Sequence, residues 1–332
     1  MGLYNLTMKI VFLDAFTAVR QDISCQHWYE LADEVVIYER TLPEQTIEHA
    51  QGAEIIVTNK VIISREIMRQ LPSLRYVGVL ATGYNVVDIT AAAELGIAVT
   101  NIPAYSTDSV AQMVFAHLLN ITNNVGAHSA AIHQGAWQDS KDFCFQLTEQ
   151  QELAHQTMGI VGLGNTGTKV AQLALAFGMN LLVYSSKSQE QLNDIFGSIA
   201  PIRKAENINQ LFAESDVVSL HCPLTDNTKH IVNRDTLSLM RKNAILINTG
   251  RGPLVDEQAL ADALREHRIY AAAVDVLTEE PPRNSSPLIG LDNCHLTPHI
   301  AWATTAARRR LLDIAFNNVR AFLNGEVLNR VE

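Results

Sequence analysis

The chain has 332 residues, 47% hydrophobic and 18% charged, with a formal net charge of −10. That length suits two ordinary domains, and the composition is that of a soluble globular protein. The negative balance gives no attractive field toward nucleic acid or an anionic membrane, and no apolar run approaches a membrane span, so neither is expected as a partner.

The opening MGLYNLTMKI has no cationic segment followed by an apolar core. No signal peptide is read there, and a cytoplasmic location is expected. Residues 1–7 read as a short tail, or Met8 as an alternative start. Residues 9–103 then alternate between strand and helix. Apolar strands are expected at 9–13, 35–38, 55–58, 75–80 and 98–100, and helices at 47–51, 65–70 and 89–95. Strands that are apolar throughout and separated by helices predict a parallel sheet covered on both faces.

Residues 105–108, YSTD, are a helix start with several capping oxygens. Val110, Val114, Leu118, Ile121 and Val125 follow at helical spacing. Residues 126–151 are polar and irregular and read as an arm or loop. Their Trp137, Phe143 and Phe145 point to a contact, because exposed aromatics more often meet a partner than solvent. A second unit starts at Thr157, with strands expected at 157–161, 181–184, 216–220, 244–248, 271–276 and 294–296. Six parallel strands make a doubly wound nucleotide-binding sheet. A last amphipathic helix is expected at 312–323. The four cysteines, Cys25, Cys144, Cys222 and Cys294, are far apart, so free thiols in a reducing compartment and no metal site are expected.

The second unit opens with TMGIVGLGNTG. An apolar run ends in Gly162, Gly164 and Gly167, and an amphipathic stretch with Val170, Leu173, Ala174 and Phe177 follows. In that context the first glycine permits a tight turn, the second lets backbone approach a pyrophosphate, and the third lets helix pack on strand. The helix N-terminus offers free N–H groups to the phosphates. A dinucleotide cofactor is therefore expected. An NAD site carries a carboxylate for the ribose about 20 residues past the glycines. Here LLVYSSKS places Ser185 at that position. Without the carboxylate a 2′-phosphate meets no repulsion, and Ser185, Ser186 and Lys187 can bind it. This tips the reading from NAD toward NADP. An ordinary polar loop that still accepts NAD is the other reading.

INTGRG (247–252), AVDVLTEEPP (273–282) and LTPHIAW (296–302) each end or follow an apolar strand. That places them at the carboxyl edge of the sheet, where open α/β sheets bind ligands. Arg251 offers a planar fork of donors for a carboxylate. His299 can exchange a proton near neutral pH, and a carboxylate such as Glu280 favours the protonated form. Taken singly, each has a plain explanation as surface charge, loop or structural histidine.

The chain resembles the D-isomer-specific 2-hydroxyacid dehydrogenases over nearly its whole length. GLGNTG, NTGRG, DVLTEEPP and TPHIAW carry the resemblance in that order, with ATGYNVVD (81–88) and NIPAYSTDSVAQ (101–112). Within the family, TGYNVVD, PAYSTDSVA and PHIAWAT look most like glycerate dehydrogenases, also called hydroxypyruvate reductases. The resemblance implies an α/β protein of two doubly wound parallel-sheet domains. A Rossmann cofactor domain, 104–299, would be inserted in a flavodoxin-like substrate domain of residues 1–103 and 300–332. It implies Arg251, Glu280 and His299 as the catalytic set. It implies Ala81, Thr82 and Gly83 at the substrate carboxylate, with Arg251 and Trp302 as further substrate contacts. Tyr84 and Tyr105 are possible borders of the pocket, or simply core. Asn165 and Thr166 would line the pyrophosphate. Cys222, Pro223, Thr249 and Gly250 would lie along the cofactor, and Asp275 would bind the nicotinamide amide. The family also suggests a homodimer through the long helix and the arm. Two departures stand out: Ser185 replaces the usual Asp, and Asn165–Thr166 replaces the usual Arg–Ile.

The implied reaction is reversible hydride transfer between NAD(P)H and a small 2-keto acid. Its products would be D-2-hydroxy acids, with hydroxypyruvate and glyoxylate giving D-glycerate and glycolate. Arg251 would hold the substrate carboxylate, and His299, paired with Glu280, would exchange the proton. The site is expected in a cleft between the domains, whose closure would expel water. A short phosphoglycerate dehydrogenase is an alternative. Glu280 speaks against a formate dehydrogenase, which would carry Gln there. A non-enzyme alternative is a cofactor-sensing protein on the same fold, like the C-terminal binding corepressors.

Overall fold

The computed structural model describes residues 8–20, 22–197, 201–326 and 328–332. The expectations for residues 1–7 lie outside them. The chain divides into two compact units. One runs up to Ser106 and resumes at Trp302, and the other is Thr107–Ala301.

The first unit holds β1 (Lys9–Phe12), β2 (Glu34–Ile37), α1 (Thr46–Ala50), β3 (Ile55–Thr58), α2 (Arg65–Arg69), β4 (Tyr76–Val79), α3 (Ile89–Glu94) and β5 (Ala98–Thr100). Its strands are all parallel, in the order β2-β1-β3-β4-β5. This is the flavodoxin-like order. Every residue of β3, β4 and β5 is buried, which is why they read as unbroken apolar runs. Ala50, Met68, Ala91 and Ala92 of the three helices cover one face. The C-terminal helix Thr305–Leu323 covers the other through Ala307, Leu311, Leu312, Ala315 and Val319.

The second unit begins with α4 (Thr107–Asn123) and α5 (Val125–His133). There follow β6 (Thr157–Val161), α6 (Asn165–Ala176), β7 (Asn180–Tyr184), α7 (Gln189–Phe196), β8 (Ile202–Lys204), α8 (Ile208–Glu214) and β9 (Val217–Leu220). Then come α9 (Arg234–Leu239), β10 (Ile245–Asn248), α10 (Glu257–Arg265), β11 (Ala271–Val274) and β12 (Cys294–Leu296), so that the C-terminal helix is α11. The sheet is wholly parallel, in the order β12-β11-β10-β9-β6-β7-β8. The strand order reverses between β6 and β9, the switch point at which doubly wound sheets bind dinucleotides. Ala111, Val114, Val170, Ala171 and Ala174 of α4 and α6 cover one face. Leu211, Phe212, Leu237 and Leu260 of α8, α9 and α10 cover the other.

Four details correct the sequence reading. The second sheet has seven strands rather than six. The addition is β8 at the edge, where Ile202 alone is buried, so there is no apolar run to recognise. Residues 125–133 form a second helix, all but its first residue within the segment read as an arm or loop. None of its side chains is buried, so it has no apolar stripe, and Asn124 in a left-handed conformation (φ 47°) separates it from α4. The last helix starts at Thr305 rather than 312, capped by the Thr304 hydroxyl accepting from the Ala307 N–H at 3.2 Å. The division between units falls after Ser106 and Ala301, beyond the boundaries at 103 and 299. The second shift has a cause in hydrogen bonding, because the N–H groups of Ile300 and Ala301 are bound to Asp275. Among the described residues no helix is long and apolar enough to cross a membrane, and no metal-ligand cluster is present.

Candidate active site

The glycine loop follows from β6. Its residues Met158–Val161 are buried, and the strand ends at Gly162 with φ +92°. A Cβ there would lie 2.6 Å from the Cys222 nitrogen, and one on Gly167 would lie 2.1 Å from the Gly162 oxygen. Both positions need glycine because backbone packs on backbone. Gly164 is different. It caps α6 with an extended backbone, and a Cβ there would meet nothing within 4 Å. Open space therefore lies at the start of α6, where the first helical N–H groups of Asn165, Thr166 and Gly167 lack intrahelical acceptors. Such an end can receive an anion. At the same sheet edge, the Thr249 hydroxyl is buried with no hydrogen-bond partner among the described residues. An orphaned buried hydroxyl at the sheet edge that also carries an open helix N-terminus fits a bound dinucleotide.

Cys222 and Pro223 follow β9 at the switch point. Burial raises the Cys222 thiol above its usual range, so it remains neutral. Ser185 follows β7, and its hydroxyl oxygen accepts the Lys187 N–H at 3.2 Å. The hydroxyl proton of Ser185 has no acceptor among the described residues, Ser186 is exposed, and no carboxylate stands at this position.

The second cluster lies past β10 and β11. Asn248 is fully buried. Its side-chain amide donates to the Arg251 carbonyl at 2.9 Å, and its Oδ1 accepts the Gly250 N–H at 3.0 Å. These two bonds shape the turn that presents Arg251. The Arg251 guanidinium is exposed and makes one bond to the Gly250 carbonyl, at 2.8 Å. Gly252 then presses on the next loop: a Cβ there would lie 2.1 Å from the Leu277 carbonyl carbon and oxygen. That loop carries Glu280. Glu280 Oε1 accepts the Leu277 N–H at 2.9 Å, and Oε2 lies 2.6 Å from His299 Nδ1. A carboxylate only accepts, so Nδ1 holds the proton and Nε2 is left for another partner.

His299 has φ +53°, a left-handed conformation uncommon outside glycine. It is held there by bonds from its N–H to the Asp275 carbonyl at 2.8 Å and to the Thr297 carbonyl at 3.0 Å. Asp275 is 2% exposed and holds the turn a second time. Its Oδ1 accepts the Thr297 hydroxyl at 2.5 Å and the Ile300 N–H at 2.9 Å, and its Oδ2 accepts the Ala301 N–H at 2.9 Å. One lone pair on Oδ2 has no partner among the described residues.

Of the residues singled out in the sequence, the second unit brings Glu280 and His299 into direct contact and joins the Arg251 turn to the Glu280 loop through Gly252. Ala81, Thr82, Gly83 and Trp302 belong to the first unit. There the Ala81 carbonyl accepts from the Ile102 N–H at 3.0 Å, and the Thr82 carbonyl accepts from the Asn101 side chain at 2.8 Å. The Thr82 hydroxyl donates to the Ile102 carbonyl at 2.9 Å. Trp302 meets Tyr105 edge-on, with ring centroids 6.3 Å apart. The sequence reading passed over Asn248, Gly252, Thr297 and His117. For the first two the NTGRG run held a signal, since Asn two residues before Gly is a turn former.

A sequence model of the D-isomer specific 2-hydroxyacid dehydrogenase NAD binding domain matches residues 115–301. The chain belongs to this family. A hydroxypyruvate reductase of Blautia hydrogenotrophica is 41% identical over 98% of this chain and 99% of its own length. A glycerate dehydrogenase of Methylorubrum extorquens is 36% identical over 98% of this chain and 100% of its own. A solved structure from Thermus thermophilus, 31% identical, matches 98% of this chain and all of that one with a TM-score of 0.84. The dehydrogenase is thus an oxidoreductase of the D-2-hydroxy acid class with an NAD-type dinucleotide as cofactor. Its doubly wound second unit is the cofactor-binding fold that the family description names.

Proposed function

We propose that this dehydrogenase reduces hydroxypyruvate or glyoxylate to D-glycerate or glycolate, with Arg251, Glu280 and His299 as its catalytic set. The observation that carries the assignment of residues is the 2.6 Å contact between Glu280 Oε2 and His299 Nδ1. It orients the imidazole and commits Nε2 to proton exchange. The substrate assignment rests on the resemblance to the Blautia and Methylorubrum enzymes. A nicotinamide dinucleotide, when bound, would supply or accept the hydride. Arg251 pairs its planar fork with the substrate carboxylate. As negative charge develops on the keto oxygen, His299 delivers the Nε2 proton, and Glu280 compensates the imidazolium charge before transfer. In the oxidative direction neutral His299 takes the proton back. Asp275 uses its remaining Oδ2 lone pair to accept from the carboxamide of the cofactor.

Gly162, Gly164, Asn165, Thr166 and Gly167 hold the pyrophosphate, and Cys222, Pro223, Thr249 and Gly250 line the cofactor. In the first unit, Ala81, Thr82 and Gly83 bind the substrate carboxylate. The fixed carbonyls of Ala81 and Thr82 support this, because they leave the Thr82 and Gly83 N–H groups unpaired among the described residues. Trp302 is a further substrate contact. Ser185, Ser186 and Lys187 favour NADP. Lys187 has no acidic partner among the described residues, and the Ser185 hydroxyl proton is uncommitted. The enzyme acts as a homodimer. Support for this is the exposed apolar surface of the segment after α4, with Val125 70%, Trp137 51% and Phe143 89% exposed.

The test is a steady-state rate with hydroxypyruvate and glyoxylate, each with NADH and NADPH, for the parent and for His299→Ala. The parent should oxidise NADPH faster at limiting cofactor. His299→Ala should lose at least about 10²-fold in kcat while still binding cofactor. Failure to turn over either keto acid would refute the substrate, and near-normal turnover in His299→Ala would refute the proton carrier.

A further inference from the structure

We propose that His117 and Thr297 are positioning residues for His299, acting through Asp275. The proposal rests on the reading of His299 as the proton carrier. His117 lies in α4, 5% exposed, and its Nε2 is 3.0 Å from the Thr297 hydroxyl oxygen. That hydroxyl is 2.5 Å from Asp275 Oδ1. The direction of both bonds follows from chemistry. A carboxylate accepts, so the single hydroxyl proton of Thr297 points to Asp275. The hydroxyl oxygen must then accept, so His117 donates Nε2–H. Asp275 in turn takes three consecutive backbone N–H groups, of His299, Ile300 and Ala301, on its carbonyl, Oδ1 and Oδ2.

The arrangement has a mechanical meaning. The turn at His299 has a left-handed residue at its centre, which relaxes unless its surroundings over-determine it. The three N–H bonds supply that constraint, and the two from Ile300 and Ala301 depend on how the Asp275 carboxylate is rotated. Thr297 sets the rotation by bonding the oxygen that also holds Ile300. A free hydroxyl would sample several rotamers, and His117 leaves it one. Burial lowers the pKa of His117 while the Asp275 charge raises it. Both the neutral Nε2–H tautomer and the imidazolium present the same proton to Thr297. Three side chains, on α4 and in the loops after β11 and β12, thus fix the ring that carries the proton, and a ring misplaced by about 1 Å costs about 10²-fold in rate.

The bland alternative is a buried polar cluster that merely stabilises the fold. Thr297→Val removes the hydroxyl at nearly constant volume, and Thr297→Ser retains it. Positioning predicts that Thr297→Val lowers kcat about tenfold or more, a larger factor than any loss of NADPH affinity by fluorescence titration. Thr297→Ser should recover most of the rate. In a His299→Ala background Thr297→Val should have little further effect, since residues acting as a unit are not additive. An equal fall in both backgrounds, or parental kcat in Thr297→Val, would overturn the proposal. If Thr297→Val does not fold, His117→Leu, which removes the donor and leaves Thr297 intact, should lower kcat about threefold or more. Parental kcat there would also overturn it. Near-normal turnover of His299→Ala alone would instead remove the reading beneath it.

Discussion

Gly252→Ala tests the join between the Arg251 turn and the Glu280 loop. The added methyl would stand 2.1 Å from the Leu277 carbonyl carbon and oxygen and 2.5 Å from the Thr278 nitrogen. Ordinary van der Waals contact begins near 3.4 Å, so Leu277 would have to retreat by about 1.3 Å. These are backbone atoms and cannot rotate away. They are also tied in place, Leu277 N–H to Glu280 Oε1 at 2.9 Å and Thr278 N–H to Glu257 Oε1 at 2.6 Å. Overpacking of this kind costs about 1–3 kcal/mol. In a unit of this size that lowers the melting temperature by roughly 2–12 °C. The displaced segment carries Glu280, so a shift of about 1 Å at His299 should also cost about 10²-fold in kcat, or ~2.7 kcal/mol of barrier. Thermal melting of the variant and initial rates with hydroxypyruvate and NADPH measure both. Parental values for melting and rate together would refute the reasoning, because the two loops would then be free to part.

Gly164→Ala should give the opposite pattern. The new methyl meets no protein atom within 4 Å, so melting should change little, while the cofactor KM should rise about tenfold or more under the proposed placing of the pyrophosphate. An unchanged KM would count against the site. Ser185→Asp should shift preference from NADPH toward NADH by about tenfold in kcat/KM, ~1.4 kcal/mol, as a carboxylate repels the 2′-phosphate; no shift would leave the loop without a role in cofactor choice. Asp22 accepts two N–H bonds from buried Arg308, at 2.8 and 2.6 Å, and these hold its carboxyl well below the usual range. A depressed folded value means that the stabilisation is complete above about pH 4 and is lost as pH falls through the folded value. Asp22→Asn should therefore melt lower than the parent at pH 7, with the gap narrowing below about pH 4. A gap that is constant with pH would contradict this.

Much of the architecture was legible from residue order. Buried parallel strands such as Ile55–Thr58 and Ile245–Asn248 are apolar at every position, so they announce themselves without partners. The run GLGNTG named its own turn, since Gly162 and Gly167 are needed for local backbone geometry. Arg251, Glu280 and His299 stood out because each follows an apolar strand, and strand ends collect at one sheet edge whatever the details of packing. Elements without a buried stripe stayed hidden. β8 buries Ile202 alone, and α5 buries no side chain, so neither has a periodicity to read. The first turns of α11 were masked by Arg308, a charge that is buried only because Asp22 pairs with it across the first unit.

The residue types and their placement at strand ends were therefore set by the sequence alone, through local propensity and burial pattern. Tertiary packing alone decided which polar groups meet. His117 and Thr297 are 180 positions apart, and no local rule relates them. Gly252 looks like any loop glycine until Leu277 is seen against it. Asp275, read first as a cofactor ligand, is found with most of its acceptors committed to the turn of His299. Periodicity and turn chemistry act between neighbours along the chain. A hydrogen-bond network depends on ångström distances between elements, and those exist only once the sheet has assembled.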